Sequence, residues 1–328
     1  MADESKKWIS DLKPVPVKER TSLGIAELRL SEEQTLKAVG LVYGIEHKIT
    51  GDGFEAVLFL DVYNQRIKII DYKVENFRNF ILRVRWIAEA NQFDKIICMA
   101  SECDWQQFLK FGYVLEAVLK YYHSGNDAFV VSKFRSQDRL NSGSLMEEIL
   151  LIENVMNEPR TGALKPLDPG LEIRLARKED IGQLIDLYKG IFESYPSPLI
   201  HQSYLETIFQ EDSVFAVCVE GEKIVAAASA ELYPTHMAAE LTDCATLPEK
   251  RGRGLMSHIL GFLERELVAR KYSCAYTMAR ARSFGMNMVF YQLGYEFMGR
   301  LVNNCDIFGA FEDMNIWVRD LREYGKNA

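Results

Sequence analysis

Thr246-Leu247-Pro248-Glu249-Lys250-Arg251-Gly252-Arg253-Gly254-Leu255-Met256 turns an extended segment into a helix through two glycines flanked by two arginines. Upstream, the run from Ala238 to Leu247 (AAELTDCATL) reads as a buried strand that stops at Pro248, which has no N–H for a central ladder. Downstream, Leu255, Met256, Ile259, Leu260, Leu263 and Leu267 recur at helical spacing. The glycines therefore fall at the first turn of a helix, where backbone N–H groups lack intrahelical partners and the dipole favours negative charge. Gly252 and Gly254 let a phosphate approach that backbone, and Arg251 and Arg253 add attraction and bidentate contacts. The stretch is an anion cradle suited to a diphosphate. It lacks the Gly-Lys-Ser/Thr of a triphosphate loop and the third glycine of a dinucleotide fingerprint.

The chain around this loop has 328 residues, which makes two domains the natural expectation. Apolar residues at 48% and charged residues at 26% are ordinary globular values, against disorder or a coiled coil. A net charge of −8 disfavours nucleic acid and anionic membrane as partners and favours a small cationic substrate. Six cysteines (Cys98, Cys103, Cys218, Cys244, Cys274 and Cys305) show neither C-x-x-C pairs nor metal spacing, and read as reduced residues of a cytoplasmic protein. His201, His236 and His258 show no ligand spacing either, so no metal is expected. The first residues are charged and contain no apolar signal core, and no segment has the length to span a bilayer.

Residues 1–50 are read as an N-terminal extension, its first thirty or so loosely ordered. Residues 51–135 form a small α/β unit: strands Phe54–Tyr63 and Arg66–Lys73, a helix from about Val74 to Asn91, strand Lys95–Ser101, a short helix ending at Gly112, and two further strands. Residues 136–170 hold an amphipathic helix (Ser144 to Asn157) and the linker EPRTGALKPLDPG, where the domain boundary is placed. The second unit, 171–328, runs strand, helices, two strands, the strand into the glycine loop, the long helix, strand Cys274–Arg280, a helix from Ser283 to Leu293, and paired strands. Phe108-Leu-Lys-Phe-Gly-Tyr113 and Phe290-Tyr-Gln-Leu-Gly-Tyr295 sit at the same place in each unit, so the first looks like a reduced copy of the second. Without an RGRG equivalent, it is assigned packing, dimerisation or lid roles.

The pattern Arg-x-x-Gly-x-(Gly/Ala), carried by Arg251 and Gly254 with Met256 where a small residue is usual, resembles the acyl-CoA loop of GNAT-type N-acyltransferases. Five further stretches, Ala238–Leu247, Ala275–Asn287, Leu301–Asn304, Met314–Trp317 and Tyr195-Pro-Ser-Pro198, resemble the beta-lysine N-acetyltransferase family, as does the leader unit ending in FLKFGY. The fold implied is α/β with a mixed sheet: a C-terminal GNAT domain preceded by a smaller, reduced GNAT-like domain. The activity implied is transfer of the acetyl group of acetyl-CoA to the side-chain amine of beta-lysine, giving the compatible solute N-epsilon-acetyl-beta-lysine, with lysine 2,3-aminomutase as metabolic neighbour. Thr246, Leu247, Arg251, Gly252, Arg253, Gly254, Leu255, Met256 and Ser283 are the expected acetyl-CoA contacts.

An ammonium that titrates near about 10.4 must lose its proton before it attacks a thioester, so a carboxylate is sought near the acyl group. Strict alternation along the strand puts Glu240, Thr242, Cys244 and Thr246 on one face and Leu241, Asp243, Ala245 and Leu247 on the other. Either Glu240 or Asp243 can be the base, with the other binding the ammonium; Glu240 is favoured as base and Asp243 as amine anchor. Many GNAT enzymes place a tyrosine acid four residues before the Gly-Tyr pair. Here that position is Phe290 and the tyrosine is Tyr291, turned by about 100° on a helix; Tyr291 is kept as the candidate acid to the leaving thiolate, with water or no acid as the alternatives. Tyr195, Arg280, Asn287, Asn303 and Asn304 supply the polar groups expected around a substrate with two ammoniums and one carboxylate. Two other readings stay open: a GNAT enzyme for another small amine, polyamine or protein lysine, and a non-catalytic acyl-CoA sensor.

Overall fold

The apolar runs and stripes read from the sequence fold into two units, each with its own core. The structure, a computed structural model, describes residues 24–40, 43–161, 164, 166–192, 197–209, 213–307 and 309–324. The extension expected over the first thirty residues lies largely outside them. The first unit takes the described residues up to 115 with 130–141 and 309–311; the second takes 116–129, those of 142–307 and 312–324.

In the first unit β1 (Gly24–Arg29) and β2 (Thr35–Gly40) form an antiparallel pair. β3 (Ile45–Gly51), β4 (Phe54–Asp61) and β5 (Arg66–Val74) follow as an antiparallel meander. β1, β2 and all of β3 but Gly51 thus fall within residues 1–50, where an extension is expected. β3 buries fully only Ile49 along its length, and so thin an apolar signal is what an edge strand leaves. Helix α1 (Phe77–Ala90) crosses over to β6 (Lys95–Ser101), which pairs parallel with β5. α1 is capped by Asn76, whose side chain accepts from Asn79 N–H, and it buries Phe80, Ile81, Val84, Ile87 and Ala88. α2 (Trp105–Lys110), the strands β7 (Val114–His123) and β8 (Asn126–Phe134), and α3 (Gln137–Leu140) come next in the chain.

The second unit adds α4 (Leu145–Asn157), β9 (Leu171–Leu175), α5 (Ile181–Ile191), α6 (Gln202–Ile208), β10 (Ser213–Glu220), β11 (Lys223–Tyr233) and β12 (Ala238–Thr246). It closes with α7 (Leu255–Ala269), β13 (Cys274–Arg280), α8 (Phe284–Gln292), β14 (Glu296–Ile307) and β15 (Ala310–Asp320). Its mixed sheet has the order β7-β14-β15-β13-β12-β11-β10-β9. On one face α4, α7 and α8 cover a core containing Ile152, Leu255, Met256, Ile259, Leu260, Leu263, Leu267 and Trp317. On the other, α5 and α6 cover Ile181, Leu184, Tyr188, Leu205, Phe215 and Val217. Each such aliphatic side chain contributes about 1.5–3 kcal/mol by leaving water, so both faces are firmly held.

The two helix–Gly–Tyr junctions share a local geometry. Gly112 and Gly294 both take positive φ (76° and 89°), which lets the following tyrosine turn back. Tyr113 N–H then donates to Phe108 O and Tyr295 N–H to Phe290 O. In each case the two rings meet edge to face, at 5.2 and 5.1 Å between centroids.

α4 is fixed by charge as well as by oil. Glu148 and Asp313 are 3% and 2% exposed, and Arg300 Nη1 lies 3.4 Å from Glu148 Oε2. Burial first, and the Asp313 carboxylate second, push Glu148 up to about 7 despite Arg300 and Arg282. The folded chain therefore keeps a proton that the unfolded chain releases near 4.5, and stability falls as pH rises through that window toward about 7. Urea titrations across it should show the unfolding free energy of the parent chain declining by on the order of 2 kcal/mol, and Glu148→Gln losing most of that slope.

Candidate active site

Two features of β12 decide where chemistry can occur. Its parallel pairing with β13 covers only Ala238↔Cys274, Ala239↔Ala275 and Glu240↔Tyr276, although the strands continue to Thr246 and Arg280. Beyond Glu240 the ladder between them ends, and the edge of β12 toward β13 is left open for another extended group. The second feature is a bulge: Ala227 faces Ala245 and Ser229 faces Thr242, so Asp243 and Cys244 share one partner position, and Asp243 has φ 53°.

The bulge corrects the expected alternation. Ala239 and Leu241 lie in the core under α7, but the next residue to pack there is Cys244, three positions on, while Ala245 joins the core under α5. An extra residue rotates the strand by one place. Asp243 consequently turns to the α5 face, the same face as Glu240, instead of the opposite one. It is 7% exposed, and Ser229 Oγ donates to its Oδ2 at 2.6 Å. Tyr188 of α5 feels it: burial, then the Asp243 charge, holds that phenol well above its usual range.

The loop after β12 has the anatomy of an anion cradle. Gly252 and Gly254 both adopt φ 75°, and a Cβ on either would meet no neighbour, so the open side of the loop is free for a ligand. Gly254 caps α7, and the first N–H groups of that helix point outward from it. Arg251 Nε donates to Thr246 O at 3.2 Å, folding its stem over the strand end. Arg253 pairs with Asp168 at 2.8 Å on the surface, a contact weak enough for a phosphate to displace. Leu255 and Met256 face the core. Met256 therefore does not obstruct the cradle, since its side chain turns away from it.

At the end of β13, Ser283 caps α8 and accepts from Met286 N–H. Asn287 is wholly buried and fully used: it donates to Arg280 O and Ser283 O and accepts from Asn315 Nδ2 and Trp317 Nε1. It holds the strand–helix junction and offers nothing to a substrate, a correction to its expected role. Arg280 makes a two-pronged ion pair with Glu312, both bonds at 2.7 Å. Asn304, also fully buried, directs its amide to Met278 Sδ, and the backbone N–H of Asn303, at φ 43°, donates to Asp313 Oδ1. Tyr195 lies outside the described residues.

Tyr291 is the other correction. Its hydroxyl sits between Met156 O and Glu158 O, at 3.1 and 3.0 Å, and Arg160 covers its ring at 4.3 Å. Phe290, at the position where a tyrosine acid would stand, is a core residue. One step along a helix separates the two faces, and the apolar one takes the inside.

Sequence reading missed the surroundings of Glu240. Glu231 lies directly opposite it in the β11–β12 ladder, and Tyr276 is its partner on β13. Burial, then the Glu231 and Glu240 charges, raises the Tyr233 hydroxyl well above its normal range, and Tyr276 is raised likewise by burial, Tyr233 and Glu240. The signal lay in register, which a single strand does not display. Among the described residues no group of three His, Cys, Asp or Glu side chains could hold a metal, and no helix is long and apolar enough to cross a membrane.

A mixed sheet parted between two parallel strands, with a glycine-arginine cradle at the open end, defines an acetyl-CoA-dependent acyltransferase of the GNAT class. Residues 172–298 match the family described as acetyltransferase (GNAT) domain. The chain is 36% identical over 277 residues to N-acetyltransferase YodP of Bacillus subtilis (83% of this chain, 98% of that one). It is 35% identical over 230 residues to beta-lysine N(6)-acetyltransferase of Methanosarcina mazei (64% and 85%) and 30% over 268 residues to that of Methanococcus maripaludis (81% and 96%). It belongs to the beta-lysine N-acetyltransferase family of the GNAT superfamily.

Tyr291→Phe should leave the rate of CoA release within about twofold, while lowering stability by about 1 kcal/mol for the lost hydrogen bond. Steady-state kinetics beside thermal unfolding read the two effects separately.

Proposed function

We propose that the chain moves the acetyl group of acetyl-CoA to the side-chain amine of beta-lysine, giving N-epsilon-acetyl-beta-lysine. The observation that carries this reading is the position of Glu240, a carboxylate at the point where β12 and β13 part, with a second carboxylate, Glu231, beside it. The names of the Methanosarcina and Methanococcus relatives support the same acceptor. An aminomutase that moves the amine of lysine is the class of enzyme to supply it.

Acetyl-CoA fits the chain's own groups. The N–H groups of Gly252, Arg253, Gly254 and Leu255, with the side chains of Arg251 and Arg253, would hold its diphosphate. The open edge of β12, beside Thr246 and Leu247, would take the amide-bearing arm, with the thioester toward Glu240. Glu240 takes a proton from the ammonium, directly or through water; the neutral amine nitrogen then adds to the carbonyl carbon, the C–S bond breaks, and the second proton on nitrogen passes through water to the departing thiolate. Asp243, braced by Ser229, adds negative potential on that face and steadies the bulge. A thiol titrates near about 8.5, well below an alkylammonium at about 10.4, so the thiolate is the better leaving group and the C–S bond can break before sulfur is protonated.

Free CoA release, measured against beta-lysine, alpha-lysine, ornithine, spermidine and a lysine peptide, tests the reading. Beta-lysine should be preferred, and Glu240→Gln should lower kcat by about 10²–10⁴-fold with little change in the KM for acetyl-CoA. Activity confined to a polyamine or the peptide discards the acceptor; tight acetyl-CoA binding without turnover on any amine marks a sensor.

A further inference from the structure

Two carboxylates directly opposite each other on one sheet face repel, and a protein keeps such a pair only where something offsets it. Glu231 and Glu240 are such a pair. Both point to the α5 face, since their neighbours Ala230, Leu232, Ala239 and Leu241 lie in the core under α7. Glu231 is exposed, and among the described residues it has no Lys or Arg ion pair. Three tyrosine rings gather beside it: Tyr122 lies 6.3 Å from Tyr233 and 5.7 Å from Tyr276, and Tyr233 lies 6.4 Å from Tyr276. Tyr276 is completely buried, and its hydroxyl lies beside that of Tyr233, within the field of Glu240 and Glu231.

Tyr122 comes from β7, well ahead of the matched acetyltransferase region, and its ring is held in place. It stacks on His236 at 4.9 Å, His236 Nδ1 lies 3.2 Å from His123 Nδ1, and Ser124 N–H donates to His236 O at 2.7 Å. Aromatic rings grouped beside carboxylates are the chemistry that recognises an alkylammonium ion.

We propose that Glu231, with the rings of Tyr122, Tyr233 and Tyr276, is a subsite for a second ammonium group on the acceptor, so that the site selects diammonium over monoammonium compounds. This rests on the reading that the amine to be acetylated lies at Glu240. The carboxylate beside it holds the non-reacting ammonium, and the segment 116–129 completes the subsite.

Calorimetric titration of the full chain, loaded with CoA, compares beta-lysine with 6-aminohexanoate, which keeps the reacting amine and the carboxylate but lacks the second amine. The parent chain should bind beta-lysine at least about tenfold more tightly, and Glu231→Gln should reduce that ratio by about tenfold, as loss of a charge-assisted contact requires. Tyr122→Leu should reduce it less, and Tyr122→Phe, which keeps the ring, least of all. A ratio near one in the parent chain, or one unaltered by Glu231→Gln, overturns the subsite. CoA release is read in parallel: binding preference without turnover leaves the subsite standing and sinks the acetyltransfer reading, whereas turnover without preference does the reverse.

Discussion

The parting of β12 from β13 is the constraint on which the site depends. A parallel pair that stayed in register to Thr246 and Arg280 would close the sheet and leave no edge for an extended thioester arm. Pairing instead ends at Glu240 and Tyr276, and the bulge at Asp243 bends β12 just beyond. Asp243 pays the conformational cost of a left-handed backbone, one that Asp tolerates better than most residues. Ser229 steadies it there.

The same bulge explains what could and could not be read from residues alone. The strand, glycine turn and long helix from Ala238 to Ala269 were legible because period-two and period-3.6 patterns meet at residues with unusual backbone freedom. Alternation beyond Thr242 was not, because one inserted residue reverses every later assignment and nothing in ELTDCAT announces it. Glu240 was found as a carboxylate near the loop, whereas Glu231 and the tyrosines around it depend on which strands become neighbours. Asn287 illustrates the opposite error. An asparagine in a polar segment suggested a ligand contact, yet buried amides satisfy their four hydrogen-bonding positions first, and this one does so wholly within the protein.

Electrostatics divides the second unit by face. Under α7 and α8, buried charges and amides answer one another: Arg300 joins Glu148 to Asn315, and Asn315 reaches Asn287. On the α5 side Glu231, Glu240 and Asp243 put negative charge beside tyrosines, and Arg280 is matched by Glu312. A face with that balance attracts cations, in agreement with the net charge of the whole chain.

The residues just after α4 have the composition of a hinge, yet they are buttoned to α8. Gln292 reaches Pro159 O and receives Thr161 N–H, Arg160 bonds Tyr295 O, and Tyr291 meets Met156 and Glu158. These contacts fix the roll of α8 about its own axis. Returning a tyrosine hydroxyl to the sulfur side by rotation would mean turning the helix through about 100° against all of them. The linker thus works as an indexing pin that keeps Tyr291 against the chain after α4 and Phe290 in the core.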